Sequence, residues 1–193
     1  MRSSINQMIK RALAKVRRQE LVQLTCQLVN IPSRTGEEGD CAKFLVDYMR
    51  QAGLETSYQE INHKRGNAVG LLPGSGGGPT LIFNGHLDTS FTGIEDEDYP
   101  ATGPLSPGSL PAARVEAGNI YGLGVYNMKA GLAASVIAVK TIKQAGIIPK
   151  GNIVVTGVAG EVENVLNFFI EQGVISRKQT PSVETLYTTK FTG

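Results

Sequence analysis

The chain has 193 residues, 41% hydrophobic and 19% charged, enough apolar material for one core and too little charge for disorder along most of its length. A net charge of +2, 6% aromatic residues and no Lys/Arg patch interleaved with aromatics give no reason to expect a nucleic-acid partner. No apolar run approaches the ~20 residues of a membrane span, and the charged N-terminus lacks the continuous apolar stretch of a secretory signal. The expectation is therefore a cytoplasmic protein with no membrane partner.

Residues 1 to about 30 read as helix, with Leu21, Leu24, Thr25 and Leu28 recurring at three- and four-residue spacing. Arg2, Lys10, Arg11, Lys15, Arg17 and Arg18 make its first half basic. A solvated face is the favoured reading of that charge over a membrane-surface or acidic-partner role. Residues 1–17 are taken as a basic helical arm. Ile31-Pro32-Ser33 ends the helix, because a residue before proline avoids helical backbone. Thr35 is the expected cap of a second helix with Glu37 and Glu38 in its first turn. The stripe Cys41, Phe44, Leu45, Tyr48, Met49, Ala52 buries one face, and Gly53 closes it. Both cysteines, Cys26 and Cys41, sit in these helices as small hydrophobes rather than as a disulfide or a metal pair.

Alternating runs predict strands over 56–61 and 67–72. The glycine-rich segment 73–79 lacks the lysine and Ser/Thr of a phosphate-binding loop and reads as a hairpin connection. Leu81 to Phe83 is the next strand. From Ser90 to about Gly118 no periodicity stands out, and Glu95-Asp96-Glu97-Asp98 reads as a solvated acidic run in a long loop. A short strand follows at 119–121. A helix is expected from about Asn127, with Met128, Leu132, Val136, Val139 and Ile142 inward and Lys129 mostly outside. Residues 152–158 read as a buried strand. Val165 to Ile170 is a possible further helix, and 173–193 carries weak signals.

Strands alternating with helices predict an α/β fold: three layers, αβα, around a mixed, largely parallel sheet. Its strand ends would gather His86 and Asp88, Asn127, and Glu161 with Glu163 along one edge. His86 and Asp88 alone are also what a strand followed by a polar turn would show. With several carboxylates added, the set suits a hydrolytic metal site, in which zinc polarises a carbonyl and a glutamate takes a proton from water.

The order of these motifs resembles the zinc aminoacylase and carboxypeptidase family that contains acetylornithine deacetylase and succinyl-diaminopimelate desuccinylase. The matching pieces are Ile31-Pro32-Ser33 with Glu37 or Glu38, Arg65-Gly66-Asn67-Ala68-Val69-Gly70, Asn84-Gly85-His86-Leu87-Asp88-Thr89, Tyr121-Gly122-Leu123-Gly124 with Asn127 to Ala134, and Gly160-Glu161-Val162-Glu163. The resemblance runs from about residue 18 to 163 and implies an incomplete catalytic domain there, with 164–193 a divergent tail. By resemblance His86 is a metal ligand, Asp88 orients it and Glu161 is the general base. The implied cofactor is zinc, one or two divalent ions, with cobalt able to substitute. The implied substrate is a small N-acyl amino acid or peptide.

Three departures accompany the resemblance. Asn127 stands where the family has its metal-bridging aspartate, and a neutral amide is a poor bridge between dications. Val162 interrupts the usual glutamate pair, which leaves Glu163 as the ligand after a one-residue shift. No histidine follows His86, and the other one, His63, reads as an exposed turn residue. A non-catalytic module that keeps the fold is therefore the alternative to an amide hydrolase. Nothing in the sequence sets an oligomeric state.

Overall fold

The computed structural model describes residues 2–161. In chain order these form α1 (Arg2–Leu13), α2 (Arg18–Val29), α3 (Gly39–Gln51), β1 (Glu55–Asn62), β2 (Arg65–Leu72), β3 (Leu81–His86), α4 (Glu95–Thr102), β4 (Arg114–Glu116), β5 (Asn119–Tyr121), α5 (Ala130–Gln144) and β6 (Ile153–Val158). Glu163 and the helix expected near Val165 lie outside the described residues.

The first predicted helix is broken in two. Hydrogen bonds tighten to Lys15 N–Ala12 O and Val16 N–Leu13 O, and Arg17 is extended at φ −120° and ψ 109°. No glycine or proline marks that break, so periodicity alone ran the helix through it. The second helix starts later than Thr35, at Gly39, and Thr35 turns its hydroxyl elsewhere.

The main sheet has the order β1-β2-β6-β3. The pairs β1/β2 and β2/β6 are antiparallel, and β3/β6 is parallel. The α/β reading with a mixed sheet stands, but among the described strands only β3/β6 is parallel, because β1 and β2 join in a hairpin and β6 runs against β2, so this part of the sheet is not largely parallel. The connection 73–79 is not a hairpin, because β6 lies between β2 and β3. Sequence-local reasoning pairs consecutive strands, whereas here the last strand inserts between earlier ones.

The core lies on one face of this sheet. Ala68 pairs with Gly157 and Gly70 with Val155, while Phe83 pairs with Val155 and Gly85 with Gly157. These residues share a face, since side chains alternate along a strand. Gly70 lies under Met49 of α3, Gly157 under Leu45 of α3, and Gly85 under Met128 and Leu132 beside α5. A Cβ at Gly70 or Gly157 would sit 2.5 Å or 2.7 Å from those side chains, so these glycines let the helices approach closely. Leu24 and Leu28 of α2, Leu45 and Met49 of α3, and Leu132, Val136 and Val139 of α5 complete one buried cluster. On the opposite face Ile82 is exposed, and Leu71 and Val154 are half-buried. Thus the described residues build two of the three expected layers, one of helices and one of sheet.

The segment expected as an unstructured loop holds α4 and the β4/β5 hairpin. Its acidic run is the first turn of α4, where negative charge is favourable. Asp98 is 5% exposed: Oδ1 accepts from Thr92 N and Oγ1, and Oδ2 accepts from Gly93 N. Asp98 is therefore built into the turn before α4, while Glu95, Asp96 and Glu97 stay exposed, as expected of a solvated run.

Candidate active site

β3 carries three residues more than predicted, so His86 ends the strand instead of following it. It pairs with Val158, the last residue of β6. Parallel pairing puts both C-terminal ends at one edge, and Glu161 follows three residues after β6. Just beyond β3, Leu87 to Thr89 is joined to the Ile31-Pro32-Ser33 segment. Ser33 Oγ donates to Leu87 O at 2.7 Å, Thr89 N to Ser33 O at 2.9 Å, and Thr35 N to Thr89 O at 3.2 Å. This is what the tripeptide does for the site: it fixes the backbone that aims His86 and Asp88.

Asn127 arrives from another direction. It belongs to a wide turn, Val125–Lys129, that precedes α5, with Asn127 at φ −128° and ψ 96°. The helix therefore begins three residues later than periodicity suggested. Lys129 is 1% exposed, against the expectation that it lies outside. Its Nζ donates to Leu28 O at 2.8 Å and to Ile31 O at 3.0 Å, at the C-terminal end of α2. The ammonium thus satisfies carbonyls that a helix end leaves open and faces the negative end of the helix dipole. Burial lowers its pKa. Through Lys129, α2 holds the turn that carries Asn127.

His86, Asp88, Asn127 and Glu161 meet here. His86 is 5% exposed and Asp88 1%. His86 Nδ1 lies 3.0 Å from Asp88 O and 3.3 Å from Asp88 Oδ1. The backbone carbonyl only accepts, so Nδ1 carries a proton and donates. That leaves Nε2 as the nitrogen turned toward Asn127 Oδ1 at 3.0 Å and Glu161 Oε2 at 3.9 Å. Asp88 is itself held: Oδ2 accepts from Thr35 Oγ1 at 3.0 Å, and Oδ1 accepts from Glu161 N at 3.2 Å. The hydrogen bond to Asp88, with that to Asn127 and the charges of Asp88 and Glu161, outweighs burial and raises the His86 pKa to about 9. Glu161 keeps a side chain 45% exposed, open to a substrate.

A second held pair supports the Thr35 loop. Glu38 is fully buried and meets Arg65 in two contacts, Nε–Oε2 at 3.0 Å and Nη2–Oε1 at 3.1 Å. Glu38 Oε1 also accepts from Gly36 N at 3.1 Å. The sequence motifs contained Glu38 and Arg65 but gave no sign that they face each other across 27 positions. Thr35, Ser33 and Lys129 were likewise not identifiable as site supports, because their partners are mostly backbone atoms distant in sequence. His63 is exposed in the β1–β2 turn, as expected.

The donor set tests the implied metal. Nε2 of His86 and a Glu161 carboxylate are good ligands for a zinc-type ion, and Asn127 Oδ1 adds a neutral oxygen. Among the described residues no group of three His, Cys, Asp or Glu side chains could hold a metal. The described residues thus fit part of the ligand set of one divalent ion and do not fit two.

Residues 82–174 match the family model described as Peptidase family M20/M25/M40. A probable succinyl-diaminopimelate desuccinylase of Staphylococcus aureus strain Mu50 is 30% identical over 143 residues, 74% of this chain and 33% of that protein. A LysW-lysine hydrolase of Deinococcus radiodurans is 34% identical over 121 residues, 62% of this chain and 27% of that protein. The matched part therefore spans about a third of the length of these relatives. Among solved structures, aminopeptidase PepT from Bacillus cereus has a TM-score of 0.59 at 24% identity and covers 79% of this chain and 39% of its own. A di-peptidase from Saccharomyces cerevisiae has a TM-score of 0.63 at 14% identity and covers 92% of this chain and 40% of its own. These likenesses show a shared fold, and the sequence matches support, over the part they cover, the M20 family of aminoacylases and metallopeptidases.

Proposed function

We propose that the chain is a hydrolase domain acting on the amide bond of a small N-acyl amino acid or peptide, with a zinc-type divalent ion as cofactor. One observation carries this reading. His86 Nε2, Asn127 Oδ1 and the exposed Glu161 carboxylate converge at the C-terminal ends of the parallel pair β3/β6. His86 would hold the ion, with Asn127 and Glu163 as further oxygen ligands, and Glu161 would flank it. The ion, when bound, supplies Lewis-acid polarisation of the scissile carbonyl. Asp88 keeps the proton on Nδ1, so that Nε2 points to the ion, and Glu161 is the base that takes a proton from the attacking water. The site sits in a cytoplasmic protein on this reading.

A second reading, a non-catalytic module, is favoured by Asn127. Its amide occupies a direct hydrogen-bond position on Nε2, where the resemblance calls for a charged bridge. Cobalt titration of the purified chain, followed by absorption, separates metal binding from catalysis. Wild type should bind, and His86→Ala should lose the signal. Equal signals from both would remove the metal site. Hydrolysis of N-acetyl and N-succinyl amino acids that vanishes in Glu161→Gln would establish the first reading. Metal binding with no turnover would establish the second.

A further inference from the structure

The N-terminal helix has a face that the rest of the described molecule leaves open. α1 rests on the end of α5: Arg11 donates to Ala145 O, and Met8 and Ala12 are half-buried on that side. Ile5, Ile9 and Leu13 recur at four-residue intervals on the face next to it, and they are 47%, 51% and 64% exposed; Val16, just past the helix end, is 44% exposed. Scattered exposed apolar residues are ordinary, but a continuous stripe on one helix marks a contact surface. Around it the charge has one sign. Lys10, Arg11, Lys15, Arg17 and Arg18 lie along this segment, and the first acidic residue of the chain is Glu20.

Two occupants fit an apolar stripe, and the charge decides between them. A second copy would bring one acid-free cationic helix against another, and like charges at helix-pairing distance repel. A bilayer carrying anionic headgroups takes the apolar side chains below the headgroup level and attracts the cationic rim. We propose that α1 binds the chain peripherally to an anionic lipid surface, lying in its plane with Ile5, Ile9 and Leu13 inserted. This departs from the sequence-based expectation of a solvated basic face, because composition showed the charge but not that the apolar stripe stays open. It is compatible with a cytoplasmic chain, since the cytoplasmic leaflet is the anionic one. No helix among the described residues is long and apolar enough to cross a membrane, so the association is interfacial.

The test is co-sedimentation of the whole chain with vesicles of phosphatidylcholine containing 30% phosphatidylglycerol, against phosphatidylcholine alone. Binding should be seen with the anionic vesicles at 0.1 M salt and fall at 0.5 M salt. Removing two charges in Lys10→Ala/Lys15→Ala should weaken it about 25-fold, at roughly fivefold per basic residue. Ile9→Asp should weaken it by at least ~10-fold, and Ile82→Asp, at an apolar position 59% exposed on the sheet face opposite the helices, should leave it unchanged. Circular dichroism confirms that each variant is folded. Equal binding to both vesicle types, no binding to either, or insensitivity to Ile9→Asp would overturn the proposal. So would a concentration-dependent dimer that Ile9→Asp dissociates, or polyglutamate competing as well as the vesicles do.

Discussion

Replacing Lys129 by methionine isolates what the buried ammonium does. Methionine keeps an unbranched stem of similar length and removes the charge and its donors. Two charge-assisted hydrogen bonds, to Leu28 O at 2.8 Å and Ile31 O at 3.0 Å, are lost. At about 1.5–3 kcal/mol each, they contribute about 3–6 kcal/mol. The desolvation that lowers the Lys129 pKa offsets part of this, so the net loss is about 2–4 kcal/mol. Swapping a buried ion for a hydrophobe is often neutral when every partner is replaced. Here the Leu28 carbonyl remains buried and the Ile31 carbonyl half-buried without the donor, so the loss should prevail. With a urea m-value of about 2 kcal/mol/M, the unfolding midpoint should drop by about 1–2 M. A second readout is pH. The folded-state pKa of Lys129 lies below its ordinary 10.5, so the unfolded chain binds more protons just below that value and wild-type stability rises with pH there. Lys129→Met should lose that rise. An unchanged midpoint, or a more stable variant, would refute the assignment of Lys129 as the anchor of the Asn127 turn.

His86 gives the metal-free chain a pH dependence of opposite sense. Its pKa is raised from 6.5 to about 9, so its contribution is full below about pH 6.5 and disappears as pH climbs through about 9. That span corresponds to on the order of 3 kcal/mol for this buried ring. Chemical denaturation between pH 6 and 10 should show the decline, and His86→Gln should flatten it. Asn127→Asp restores a charged ligand beside Nε2 and should tighten zinc or cobalt binding by at least ~10-fold. Titration calorimetry giving equal affinities would show that position 127 faces no metal.

The hydrophobic stripes of α3 and α5 were legible because helical periodicity is local. The same holds for strands β1, β2, β3 and β6, although their ends were misplaced. His86, Asp88, Asn127 and Glu161 were identifiable as polar groups at strand and helix ends, and the order of motifs pointed to the family. The supports of those groups were not. Ser33, Thr35 and Lys129 act through contacts spanning 54, 53 and up to 101 positions, and no period in a sequence encodes such a pairing.

The spacing of apolar residues along the chain is enough for the element types, the α/β class and the polar ends where chemistry concentrates. Tertiary structure alone decided that β6 inserts between β2 and β3, which brings Glu161 to His86. It also buried Lys129 against the end of α2 and, among the described residues, left the apolar stripe of α1 uncovered. Local pattern reports the free energy of a segment against water, whereas strand order and burial depend on which distant surfaces meet it.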